Sequence, residues 1–212
     1  MSAPSPSIPP ARGRGRPASV SPEARREQIL NVAEQLFRHS GYAATSMADI
    51  ARQCEMSKRT LYEAFETKES LFRALVVDVQ SFPAHECSVD PARTPAAIVA
   101  AALNEIAHYV LSERHIMVSR IVIAESELSP AIREHYYEQG IDRSKRFLVA
   151  QLGALVEAGR IVAVNADRIA DMLFGAVIAT HLIAAISYRQ TPDFDEVSAK
   201  IEEVVTRFIV AV

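Results

Sequence analysis

Tryptophan is absent from this chain, and glycine occurs only 7 times in 212 residues. Both absences argue against a turn-rich β protein, which needs glycine at its hairpins and aromatic residues on its strands. Cys54 and Cys87 are too few for a disulfide framework and fit a reducing cytosol. No basic start leads into an apolar signal core, because residues 1–20, MSAPSPSIPPARGRGRPASV, are dominated by Pro, Ser, Ala, Arg and Gly. A Gly-rich phosphate loop, a His-Glu-x-x-His pair and paired Cys ligands are all missing, so neither an enzyme, a cofactor nor a metal is expected. His108 and His115 lie seven residues apart and could share a helical face, but no third ligand accompanies them. His135, between Glu134 and Glu138, reads as a solvated face.

What is present favours helices. Hydrophobic residues make up 49% of the chain, enough for a sizeable core, and Ala, Leu, Ile, Val, Glu and Arg dominate. The net charge of −3 is uninformative until it is divided. Residues 1–73 carry 11 Lys and Arg against 8 Asp and Glu, so the front is basic and the remainder acidic. Three domains are expected: a basic tail at 1–20, a head at 21–67 and a body at 68–212.

The tail should be disordered in isolation. Its arginines Arg12, Arg14 and Arg16 alternate with glycine, and RGRP resembles the minor-groove element called an AT-hook. Ser21-Pro22-Glu23 opens a helix that Gly41 closes. Thr45-Ser46, Ser57 and Thr67 cap three more, the last running from about Lys68 to near Gln80. Further helical patterns follow at roughly 95–111, 114–125, 129–158, 166–188 and 193–210, with no strand-like alternation and no repeat. The apolar run 169–188 approaches membrane-spanning length. It carries Asp171 and His181 and lacks anchoring residues on both flanks, so a buried or subunit-interface helix is expected, not a membrane anchor.

Two short capped helices joined by a tight turn suit a helix-turn-helix, whose second helix enters the major groove. On the helix after Ser57, Leu61, Ala64 and Phe65 share one arc. Arg59, Tyr62 and Glu63 share the opposite one, bordered by Lys58 and Thr60. Lys58 and Arg59 can meet phosphates or guanine, and Tyr62 offers a hydroxyl and a ring.

Residues 23–73 resemble the DNA-binding domain of the tetracycline-repressor (TetR) family of bacterial regulators. The resemblance rests on ILNVAEQLFRHSGYAATSMADIA and MSKRTLYEAFETKESLF. It implies DNA contacts from Thr45, Ser46, Ser57, Lys58, Arg59, Thr60, Tyr62 and Lys68. Two positions depart from the family pattern. The turn usually reads Ala-Gly-Val-Ser and here reads Cys54-Glu55-Met56-Ser57. A Glu in a left-handed conformation should cost roughly 1 kcal/mol. Cys54 replaces a small packing alanine, with a redox-sensing role as the alternative. Ala64 stands where the family often has a phosphate-contacting His.

RIVIAESELSPAIREHYYEQGIDR and LGALVEAGRI resemble a subclass of the family's C-terminal domains. The expected fold is all-α: an N-terminal three-helix helix-turn-helix DNA-binding domain plus a C-terminal helical ligand-binding and dimerisation domain, about nine helices in all. Gly175 and Ala179, with Val197, Ile201, Val204 and Phe208 on the last helix, are candidates for a two-fold dimer interface. Phe82, His108, Tyr109, Met117, Tyr137, Phe147 and His181 are candidates for lining an effector pocket. The expected function is a cytoplasmic, homodimeric regulator, a repressor holding a palindromic DNA operator until a small apolar or aromatic effector releases it. The alternative is a helical carrier or enzyme on the same fold that has lost specific DNA binding.

Overall fold

The computed structural model describes residues 21–79, 82, 87, 89–125, 129–162, 165–188 and 190–211. The tail arginines Arg12, Arg14 and Arg16 lie outside these residues. Among the described residues every regular element is helical, and one isolated antiparallel bridge joins Ile161 to Ala211.

The caps form as the sequence predicts. Ser21 accepts from the Ala24 N–H at 3.1 Å and starts α1 (Pro22–Ser40) with Pro22 in its first turn. Gly41 ends it at φ 87°, and its N–H returns to the Phe37 carbonyl at 3.0 Å. Ser46 and Asp49 form a reciprocal capping box on α2 (Met47–Gln53). Ser57 caps α3 (Lys58–Ala64) through the Thr60 N–H at 3.1 Å. The Thr67 hydroxyl accepts from Ser70 N–H at 2.9 Å at the start of α4 (Lys68–Val79).

The body comprises α5 (Pro95–Val110), α6 (Glu113–Ala124), α7 (Pro130–Tyr136), α8 (Arg143–Glu157), α9 (Ala166–Phe174), α10 (Thr180–Tyr188) and α11 (Phe194–Phe208). Two of the predicted long helices are continuous but carry π-helical turns. Tyr137–Asp142 joins α7 to α8, and Gly175–Ala179 joins α9 to α10. Leu111 and Ser112 break the chain between α5 and α6, so His108 and His115 do not share a face. His108 is exposed and stacks on Phe194 at 4.4 Å, whereas His115 is fully buried.

Apolar burial forms two clusters. The first is built from Phe82, α5, α8, α9, α10 and α11, with Val99, Leu103, Leu148, Leu173, Val177 and Ile201 fully enclosed. The second fills the head with Ile29, Phe37, Ile50, Leu61, Phe65, Leu71 and Phe72, and it does not stop at residue 67. Met117, Val118, Ile121 and Val122 of α6 and Ile132 and Tyr136 of α7 belong to the same cluster. Each large side chain so enclosed contributes about 1.5–3 kcal/mol, so the head is fused to α6 and α7 by its own core. Ion pairs reinforce the seam: Glu34 meets Arg114 at 2.9 Å, and Arg38 meets Glu113.

Candidate nucleic-acid interface

The apolar arc of α3 is buried as its spacing requires. Leu61 and Phe65 are enclosed against α1 and α2, and Ala64 is half-buried. The Arg26 guanidinium stacks over the Phe65 ring at 4.3 Å, and the Gln28 side-chain amide donates to the Cys54 carbonyl at 3.3 Å. Both contacts hold the helix-turn-helix on α1.

The opposite arc is open. Lys58 is exposed, Tyr62 is 50% exposed, and the Arg59 side chain is 87% exposed. Arg59 donates through Nε to Glu63 Oε1 at 2.9 Å, one helical turn away. Ser57 and Thr60 flank this surface with hydroxyls 2.8 Å apart, and Ser57 is also engaged in capping. Ser46 is exposed, and its hydroxyl donates to Asp49 at 2.6 Å.

Thr45 and Lys68 are engaged inside the protein. Thr45 is buried and donates to the Gly41 carbonyl at 2.8 Å. The Lys68 ammonium donates to the Tyr42 and Thr45 carbonyls at 2.8 and 3.0 Å. Their side chains shape the turn that launches α2.

The turn between α2 and α3 carries the strain the sequence foretells: Glu55 sits at φ 54°, the left-handed region. Cys54 beside it is buried, and burial pushes its thiol up. A protonated, enclosed thiol is a packing group with little nucleophilic character.

The effector candidates are scattered. Phe82, Tyr109 and Phe147 pack on one another, with Phe82 centroids 5.2 and 5.3 Å from the other two. Tyr137 is exposed and His181 half-buried. Met117 lines a cleft of about 440 Å³ between head and body. The floor of this cleft is Phe37, Ile116, Met117 and Ile121. Tyr42, Ala44, Ala124 and Pro192 also line it, with the charged residues Arg38, Glu113 and Glu125. Sequence periodicity missed a second group of polar residues on α6 and α7. Ser119, His115 and Tyr136 form a buried polar chain in which Ser119 and Tyr136 hydroxyls are 2.6 Å apart. Polar residues on apolar helix faces were the available signal.

The proposed dimer residues divide. Val197 and Ile201 are fully buried against the α5 side of the body, so they are not exposed to a partner. Val204 and Ala179 are half-buried, and Gly175 and Phe208 are exposed. The continuous helix Ala166–Tyr188 is long and apolar enough to cross a membrane by length and composition. It packs on α8, α6 and α11 and leaves Met172, Ile183 and Tyr188 exposed.

Comparison with known proteins agrees with this architecture. A family profile described as bacterial regulatory proteins, tetR family, matches residues 29–75. A second, described as AefR-like transcriptional repressor, C-terminal domain, matches residues 98–211. The regulator UidR of Escherichia coli is 38% identical over 55 residues, 26% of this chain and 28% of that one. QacR of Staphylococcus aureus is 47% identical over 47 residues, 22% of this chain and 25% of its own. The alignments thus span little more than a quarter of these curated relatives. The fold extends further. A TetR regulator from Agrobacterium tumefaciens superposes with a TM-score of 0.70 at 21% identity, covering 87% of this chain and 92% of its own. A regulator from Saccharomonospora viridis in complex with choline gives 0.68 at 20% identity, covering 89% and 98%. With one profile matching the head and a second matching more than half of the chain, the chain belongs to the TetR family of bacterial regulatory proteins.

Proposed function

We propose that the protein is a cytoplasmic, homodimeric repressor that holds a palindromic operator and lets go when a small molecule binds. The observation that carries the reading is the solvent-facing arc of α3. There Lys58, Arg59 and Tyr62 project from a helix whose other arc is locked into the head by Leu61 and Phe65. A rigidly backed cationic and aromatic surface suits phosphate attraction and base contact. Ser46, Ser57 and Thr60 flank it, while Thr45 and Lys68 position the turn behind it. Arg12, Arg14 and Arg16 would add minor-groove contacts beside the main site.

Dimerisation is supported by the exposed apolar side chains Met172, Ile183, Tyr188 and Phe208 along α9, α10 and α11. A two-fold pair of heads matches a palindrome. The effector is expected in the cleft between head and body, whose floor is apolar and aromatic and whose size suits a small organic molecule. A ligand there would touch Tyr42 and α6 together. It would favour the head orientation that leaves DNA, provided it binds that state more tightly.

The test is selection of genomic fragments by the purified protein, followed by sequencing of what is retained. Enrichment of one palindrome, bound by a species of dimer mass, is the expected result. Salt-sensitive retention with no shared sequence would overturn the reading and leave only charge attraction.

A further inference from the structure

The DNA-facing arc of α3 contains an acid. Glu63 lies beside Arg59 and Tyr62, on a surface that must approach a polyanion, and its side chain is 58% exposed. A lone carboxylate there would be repelled by the phosphates on either wall of the groove. Arg59 offsets that repulsion by donating to it at 2.9 Å. The bond uses one edge of each group: Nε of Arg59 and Oε1 of Glu63. The terminal fork of the guanidinium and the second carboxylate oxygen, Oε2, carry no other bond among the described residues. The pair is therefore an oriented unit, with two donors aimed from one end and one strong acceptor from the other.

Those groups match two bases. A guanidinium fork suits O6 and N7 of guanine, and a carboxylate accepts from the N4 amino group of cytosine. Residues four apart on a helix are separated by about 6 Å along its axis, against a base-pair rise of about 3.4 Å. They therefore reach bases one or two steps apart. We propose that Glu63 is a specificity-determining residue: coupled to Arg59, it selects a cytosine one or two steps from the guanine that Arg59 reads. This rests on α3 lying in the major groove, as in the function proposed above. It adds a base preference that Lys58, Arg59 and Tyr62 alone do not give. Glu63 also rejects thymine and guanine in that column, since their major-groove edges offer a carboxylate only acceptors, and it disfavours adenine less, whose N7 acceptor stands beside an N6 donor.

The experiment is selection from a randomised duplex library with wild type, Glu63→Gln, Glu63→Ala and Arg59→Ala. Wild type should show a cytosine column and a guanine column in each half-site. Glu63→Gln should turn the cytosine column to adenine, because a carboxamide pairs with adenine N6 and N7. The preference should change by roughly tenfold or more. Glu63→Ala should erase that column and keep the guanine, and Arg59→Ala should erase the guanine. If both Glu63 variants keep the wild-type sequence preferences and only bind every duplex more tightly, Glu63 merely balances charge and the proposal fails. If wild type enriches no sequence at all, the operator reading fails with it.

Discussion

The Lys68 ammonium lies 4.2 Å from the centroid of the Tyr42 ring and donates to the Tyr42 carbonyl at 2.8 Å. The first residue of α4 is thereby fastened to the turn that launches α2. Tyr42 itself packs between Phe37 and Phe72 at 5.1 and 5.2 Å. Its phenol is pushed up to about 12, first by burial and then by Glu69 and Glu125, so the ring stays neutral under the cation. Because Tyr42 also lines the cleft, one side chain joins the cleft, α4 and the turn that launches α2.

Lys68→Met should therefore destabilise the protein by about 1–3 kcal/mol, through two lost charge-assisted hydrogen bonds and a cation–π contact. Urea unfolding measures this. DNA affinity should weaken with little change in its salt dependence. Unchanged stability, with a salt slope reduced by about one phosphate, would instead assign Lys68 to the DNA backbone.

Glu55 gives a gain-of-stability prediction. At φ 54° its Cβ is crowded by its own backbone, and glycine would remove that crowding. Glu55→Gly should stabilise the protein by about 0.5–1 kcal/mol after the flexibility gained by the unfolded chain is deducted. Glu55→Ala should not, because it keeps the Cβ. Equal effects from the two would point to the carboxylate instead of the backbone.

The head was legible in the sequence because its signals are local. Ser21, Ser46, Ser57 and Thr67 cap where they stand, and the Leu61–Phe65 spacing sets the buried arc of α3. Glu55 betrayed its own strain by replacing a glycine. The inward commitment of Lys68 was not legible, because it depends on carbonyls 26 and 23 residues away along the chain. Likewise the apolar stripe on α11 could equally meet α5 or a second subunit. Only the packing of Val197 and Ile201 decides that they face the monomer core. The π turns inside α7–α8 and α9–α10 left no pattern that helical periodicity could register.

His115 ties stability to pH. It is fully buried between Tyr109 and Tyr136, with ring centroids at 5.1 and 5.5 Å, and its Nδ1 has no hydrogen-bond partner among the described residues. Burial lowers the imidazole from 6.5 to about 4. The unfolded chain thus takes up a proton that the folded one refuses. This contribution is complete above pH 6.5 and is lost as pH falls towards 4. It amounts to at most about 3 kcal/mol. His115→Leu should flatten the fall in urea midpoint between about pH 7 and pH 4.5 relative to wild type. Parallel pH profiles for the two proteins would show that other groups govern acid sensitivity.

The last prediction separates association from folding. Ile183 is 62% exposed on α10, whereas Val197 on α11 is fully buried. If α9–α10 forms the subunit interface, Ile183→Glu places a charge in an apolar contact without touching the monomer core. Each large apolar side chain enclosed there contributes about 1.5–3 kcal/mol, and a buried unpaired carboxylate costs at least as much. The variant should keep the wild-type circular dichroism but sediment as a monomer at micromolar concentration. It should also bind a full operator far more weakly, because one head no longer holds the other near its half-site. Val197→Ala should do the reverse, destabilising the fold by about 1–3 kcal/mol, seen as a lower urea midpoint, while leaving the sedimenting mass unchanged. An Ile183→Glu protein that sediments and binds DNA as wild type does would remove α10 from the interface. The contact would then have to be sought around Phe208 at the end of α11.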